Sequence, residues 1–226
     1  MAKTIEIFAG PSLFGTGLST KTTNEVSWRP PARRGDIEHI VSTHESPGII
    51  GLVDGTFHSY PSVGHVELRE ALEAGWRIYG LCSIGAIRAS EMVHMGMIPW
   101  GNVAAMFCHQ HDLADDEVAL VHGTEAPYLP LSEPMLHLRE FCRQAEGEKL
   151  LTGEQVEKIL NSLKERWYGD RTIDALRFLL SKYCGDGEIL NRLLFFSENF
   201  KPYQLKQADL VDFLVAQPWM SMEDNA

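Results

Sequence analysis

The chain has 226 residues, 44% hydrophobic and 23% charged, enough to bury a core without disulfide or metal staples. A mainly disordered or fibrous protein is excluded. Twenty basic against 31 acidic side chains leave a net charge of −11, which disfavours nucleic-acid backbones and anionic membrane surfaces. Cys82, Cys108, Cys142 and Cys184 form no C-x-x-C pair, which argues against a zinc knuckle or a dithiol redox motif. No apolar run reaches the roughly eighteen residues of a membrane helix. The first residues run straight into the alternating Ile5-Glu6-Ile7-Phe8, unlike a signal peptide, so the expected compartment is the cytoplasm, with reduced thiols.

In chain order, the first expected strand is 4–8, ending in the small-residue loop Ala9-Gly10-Pro11-Ser12. A polar Gly/Ser/Thr segment over 15–24 leads to Trp28-Arg29-Pro30-Pro31-Ala32-Arg33-Arg34-Gly35-Asp36, rigid and non-helical because of its prolines. Asp36 reads as the cap of a short helix over 37–43. Pro47-Gly48 breaks it, and Ile49-Ile50-Gly51-Leu52-Val53 reads as a buried strand ending at Asp54-Gly55. A helix over 62–74 follows, closed by Gly75. Residues 77–81 form a third strand, Cys82-Ser83-Ile84-Gly85 a turn, and 86–95 a helix closed by Gly96. Strand and helix in this rhythm predict an α/β, Rossmann-like open parallel sheet with flanking helices.

Beyond Pro127 the signals are helical only. Ser132 is expected to cap a helix from about Glu133, and Thr152 one over 153–167. Others are expected over 172–183, 188–195 and 205–215, with a frayed tail from Met220. The expected division is an α/β core over 1–147 and an all-helical C-terminal region over 148–226.

In an open parallel sheet, ligands bind at the carboxyl ends of the strands. Those ends are Gly10-Pro11-Ser12, Asp54-Gly55 and Cys82-Ser83-Ile84-Gly85, all small or polar. The last has the layout of a nucleophile elbow, with a helix N-terminus behind it to stabilise an oxyanion. The G-x-S-x-G spelling is incomplete whether Ser83 or Cys82 is the nucleophile, and Ser83 as a simple N-cap is the competing reading. His65 is the candidate general base, with Asp54 or Glu67 orienting it and His58 a weaker choice. Arg88 and Arg33 are candidates to hold an anionic substrate group, against a salt bridge to Glu91 and a solvated loop respectively.

His109-Gln110-His111-Asp112 matches no metal motif, so no metal is expected. Asp115-Asp116-Glu117 reads as the acidic first turn of a helix to Val121. Gly10 to Gly17 lacks the lysine of a P-loop, and no G-x-G-x-x-G opens a helix. No cofactor is expected.

Together the blocks Gly10-Pro11-Ser12, Arg29 to Asp36, Ile50 to Phe57, Gly80 to Glu91, Asp115 to Ala119 and His122-Gly123 resemble the TfuA-like core domain. The family's Ser-Met-Gly-Ala-Leu-Arg-Ala falls on Ser83-Ile84-Gly85-Ala86-Ile87-Arg88-Ala89, and its Asp-Gly-x-Phe on Asp54 to Phe57. Its Pro-Ala-Val-Trp-His-Lys-Glu falls on residues 61–67, retaining His65 and Glu67 but with Gly64 and Val66 in place of tryptophan and lysine. The resemblance implies an accessory protein of YcaO-dependent backbone thioamidation (RiPP biosynthesis being one setting), with a YcaO enzyme and a ubiquitin-like sulfur-carrier protein as partners. Its implied activity is hydrolysis of the carrier's thiocarboxylate to supply sulfide. Ser83 or Cys82 would attack, or water directly. Gly10, Pro11 and Ser12 would help to hold the oxyanion. The alternatives are a non-catalytic YcaO-binding activator and a generic small-acyl hydrolase.

Overall fold

The computed structural model describes residues 4–23, 25–56, 60–110 and 112–220. Phe57, His58, His111 and the expected tail beyond Met220 lie outside the described residues. The chain forms two compact units. One comprises Met1–Leu113 and Lys206–Ala226, the other Ala114–Leu205. The expected boundary after residue 147 therefore falls inside the second unit, and the last helix belongs to the first.

The first unit is built on five parallel strands, β1 (Ile5–Phe8), β2 (Val26–Arg29), β3 (Ile49–Leu52), β4 (Arg77–Gly80) and β5 (Ile98–Pro99), in the order β2-β1-β3-β4-β5. The helices are α1 (Asp36–Thr43), α2 (His65–Glu73), α3 (Ile84–Met92), α4 (Gly101–His109) and α9 (Leu205–Ala216). The open parallel sheet with flanking helices is as the alternation of elements predicts. β1 and β3 are buried along their whole length, which is why β3 reads as a continuous apolar run and β1 as one interrupted only by Glu6. The two edge strands gave no such signal. β2 is only half-buried, and β5 is two residues long and ends in Pro99, which an edge tolerates because it lacks a ladder donor.

Helix starts differ from expectation by up to three residues. Asp36 is the first residue of α1, its Oδ2 accepting the Arg33 N–H at 2.8 Å. α2 begins at His65, with the Glu67 carboxylate folded back onto the Gly64 N–H at 2.8 Å. α9 is anchored by rings. Phe213 meets Tyr79 of β4 at 5.4 Å, Trp100 at 5.7 Å and Trp219 at 4.8 Å between centroids, and is fully buried. Burial of one such side chain contributes about 1.5–3 kcal/mol.

The second unit contains α5 (Met135–Gly147), α6 (Gly153–Lys164), α7 (Ile173–Tyr183) and α8 (Gly187–Glu198) around a core that includes Phe141, Leu163, Leu176, Leu180 and Leu193. Thr152 caps α6 as expected, in a reciprocal box with Gln155. Ser132 does not cap α5. Its hydroxyl accepts the Val121 N–H at 2.9 Å, and the helix starts at Met135. The acidic triplet is a single 3-10 turn, Asp115–Glu117, rather than a helix to Val121. Its carboxylates are drawn into ion pairs instead. Asp116 holds the buried Arg171 at 2.5 Å, and the buried Glu117 receives Arg139 at 2.8 Å and Lys164 at 3.1 Å. Among the described residues no helix is long and apolar enough to cross a membrane.

Candidate functional site

The carboxyl ends of β1, β3 and β4 meet, as the topology requires. The Val53 and Asp54 amides both donate to the Phe8 carbonyl oxygen, at 3.1 and 3.0 Å, which draws the loop after β1 onto the end of β3. There Asp54, 1% exposed, is wrapped by that loop. Its Oδ2 accepts the amides of Gly10 and Ser12 at 2.8 and 2.9 Å, and its Oδ1 the Ser12 hydroxyl at 2.7 Å. A buried carboxylate needs this many donors to be tolerated. The two amides expected to face an oxyanion are thus committed to Asp54. Pro11, also buried, opens the 3-10 turn that shapes the loop.

The turn after β4 has the geometry of an elbow. Cys82 carries a positive φ of 63°, unusual for a side chain larger than glycine, and Ser83 follows at the N-terminal end of α3. The close approach of α3 to the sheet depends on Gly85. A Cβ there would overlap the Leu52 carbonyl oxygen at the end of β3. Ser83 makes no side-chain cap hydrogen bond to α3, whose first turn closes instead on the Ser83 carbonyl, from the Ala86 amide at 2.9 Å.

Its hydroxyl faces a partner from the far end of the chain. The Lys206 Nζ donates to Ser83 Oγ at 3.2 Å and lies 3.7 Å from Asp54 Oδ1. Lys206 is 1% exposed and Ser83 3%. The sequence reading missed this lysine, although a signal was available. Lys206 sits four and seven residues before Leu210 and Phe213, on the stripe of α9 that turns to the core. A charge on an apolar stripe asks for a buried partner.

Cys82 contacts the backbone of Lys206. Its thiol donates to the Lys206 backbone carbonyl oxygen at 3.1 Å and is fully buried. Burial, then the charges of Asp209 and Asp54, push its pKa well up, so the thiolate is suppressed. Burial likewise pushes the Cys142 thiol up to about 12. We expect a thiol reagent at neutral pH to modify the half-exposed Cys108 in the native protein, and Cys82, Cys142 and Cys184 only after denaturation. Peptide mapping of the adducts checks this, and native labelling of Cys82 would contradict its placement.

The other expected residues lie elsewhere. His65 Nε2 is 2.9 Å from Glu91 Oε2, and Arg88 Nη1 donates to that same oxygen at 2.7 Å while its Nε donates to the Val63 carbonyl at 3.0 Å. The His65 side chain is 55% exposed. Glu67 ties the Gly64 and Gly35 amides together, at 2.8 and 2.9 Å, and so fixes α2 against the segment before α1. Arg33 is exposed, with its guanidinium 3.9 Å above the Tyr60 ring. Among the described residues, none of these side chains bonds to Ser83, Cys82 or Asp54. Ser83, Asp54, Ser12 and Gly10 are brought together, while His65, Glu67, Arg88 and Arg33 are not part of that cluster. Among the described residues no three His, Cys, Asp or Glu side chains form a metal-holding group.

A family model described as TfuA-like protein matches residues 54–172, just over half of the chain. The chain belongs to the TfuA-like family. The matched stretch begins at Asp54 and contains the elbow, whereas Gly10, Ser12 and Lys206 lie outside it. No curated protein matches the chain. In this TfuA-like chain a buried amine contacts both a hydroxyl and a carboxylate that are buried with it. This arrangement suits proton transfer between serine and lysine, with the carboxylate holding the lysine in place.

Proposed function

We propose that this TfuA-like chain is an accessory protein of YcaO-dependent backbone thioamidation. It hydrolyses the C-terminal thiocarboxylate of a ubiquitin-like carrier protein, releases sulfide, and binds the YcaO enzyme. One observation carries the hydrolytic reading: the Ser83 hydroxyl lies 3.2 Å from the amine of Lys206, at the N-terminal end of α3.

Ser83 Oγ attacks the thiocarboxylate carbon and gives its proton to the Lys206 amine. The charge that builds on the acyl oxygen is stabilised by the positive end of the α3 dipole. The C–S bond then breaks, and sulfide leaves with the proton that Lys206 held. Water attacks the resulting ester, Lys206 takes a proton from it, and that proton returns to Ser83 as the carrier departs with an ordinary carboxylate. Asp54 orients Lys206 throughout. In the direct-water variant, Lys206 activates water and no ester forms.

The test mixes purified protein with a thiocarboxylated carrier and follows sulfide. Release by the wild type and its loss in Ser83→Ala are expected, and an acyl adduct on Ser83 in quenched samples separates the ester route from direct water. Undiminished release by Ser83→Ala removes the assigned role. The burial of Ser83, 3% exposed, favours the second reading, a non-catalytic YcaO activator. On that reading Ser83→Ala supports YcaO as well as the wild type does, with carrier or with free sulfide.

A further inference from the structure

The helix that carries Lys206 holds a second buried charge that the reaction does not use. Asp209 lies almost one turn further along α9 and is 1% exposed. Its Oδ1 accepts the Asn102 backbone N–H at 2.9 Å and the Asn102 side-chain amide at 3.0 Å, and its Oδ2 accepts the Val103 N–H at 2.8 Å. Those backbone amides open α4, so a carboxylate 107 residues away supplies the cap that a side chain at position 100 would ordinarily provide. Position 100 is a tryptophan, which offers no acceptor.

Space for the carboxylate is made at Gly101. It has a φ of +85°, and a Cβ there would stand 2.5 Å from the Asp209 carboxyl carbon. The same end of α4 is tied to the strand that leads into the elbow, because the Trp100 N–H donates to the carbonyl of Gly80, the last residue of β4, at 3.0 Å. A continuous set of hydrogen bonds therefore runs from β4 through the start of α4 to Asp209, less than one turn from Lys206. Burial raises the Asp209 pKa although the hydrogen bonds from Val103 and Asn102 pull it down. The site thus carries an electrostatic cost that a solvent-facing cap would avoid.

We propose that Asp209 is a positioning residue for Lys206, fixing the rotation of α9 against the strand that leads into the Ser83 elbow. A lysine side chain has four rotatable bonds and little intrinsic order, so its amine stays on a hydroxyl only if its backbone is held. Asp209 provides that hold without touching the reacting atoms. The inference rests on the reading of Ser83 and Lys206 as the hydrolytic pair.

The experiment uses the full chain and compares wild type, Asp209→Ala and Asp209→Asn in three measurements. These are sulfide release from a thiocarboxylated carrier, the rate at which a fluorophosphonate probe labels Ser83, and the crystal structure. Asp209→Ala is expected to lower kcat and the labelling rate by about tenfold to a hundredfold with KM unchanged, and Lys206 is expected to have left Ser83 in its structure. Asp209→Asn, which keeps an acceptor oxygen, restores part of both rates. Should Asp209→Ala fail to fold, Asp209→Asn is compared with the wild type in the same way. A folded variant with wild-type labelling, or with Lys206 still on Ser83, overturns the positioning role. If the wild type itself neither labels nor releases sulfide while Lys206 is displaced in the variant, the hydrolytic reading falls and the positioning role stands.

Discussion

Lys206→Arg is expected to lose sulfide release by roughly a hundredfold to ten-thousandfold in kcat, whereas His65→Ala should change it less than about threefold. Arginine keeps the positive charge beside Asp54 but does not give up a proton near neutral pH, so it separates electrostatic support from proton transfer. Lys206→Met removes both. It also leaves a buried carboxylate without its cation, which costs about 3–5 kcal/mol and should appear as a lower melting temperature. His65 already shares Glu91 with Arg88 on an exposed face, and removing it severs no bond to Ser83. The measurement is sulfide release at saturating carrier, with circular dichroism to confirm folding. A His65→Ala variant as impaired as Lys206→Arg would reassign the base.

Gly85→Ala is expected to destabilise the first unit by about 3 kcal/mol or more, one of the largest effects of any single methyl group in the chain. The added carbon would overlap the Leu52 carbonyl oxygen, and the Gly85 N–H to Val53 O bond at 3.3 Å shows how closely helix and strand already approach. Backbone meets backbone there, so no side-chain rotation relieves the overlap, and α3 must lift from the sheet with Ser83 at its start. Gly147→Ala is the control. No atom lies within 4 Å of a Cβ at Gly147, the last residue of α5, and the change should be neutral or slightly stabilising. Urea midpoints of the two variants against wild type check the contrast.

The sheet was legible because β1 and β3 are buried on both faces, and a strand in that position has to be written as Ile5-Glu6-Ile7-Phe8 or Ile49-Ile50-Gly51-Leu52. β2 and β5 were not legible because edge strands can be short, half-exposed and polar. The gathering of Ser12, Asp54 and Ser83 followed from topology alone. Topology does not say which side chains turn inward from a helix, and His65 was favoured for its imidazole, although the start of α2 directs it to solvent beside Glu91. Lys206 was overlooked because a single lysine in Leu205-Lys206-Gln207-Ala208-Asp209 reads as a surface residue unless the apolar stripe through Leu210 and Phe213 is traced backwards. Asp115-Asp116-Glu117 misled for a related reason. Long-range ion pairs with Arg171, Arg139 and Lys164 outweigh the weak preference of acids for a helix start.

On the proposed hydrolytic reading, the 123 residues that separate Ser83 from Lys206 have a consequence for when the protein becomes competent. On the ribosome the elbow emerges long before its amine, so a nascent chain holds a silent serine until α9 is released and docks. A protease that clipped off that one helix would return the molecule to the same dormant condition.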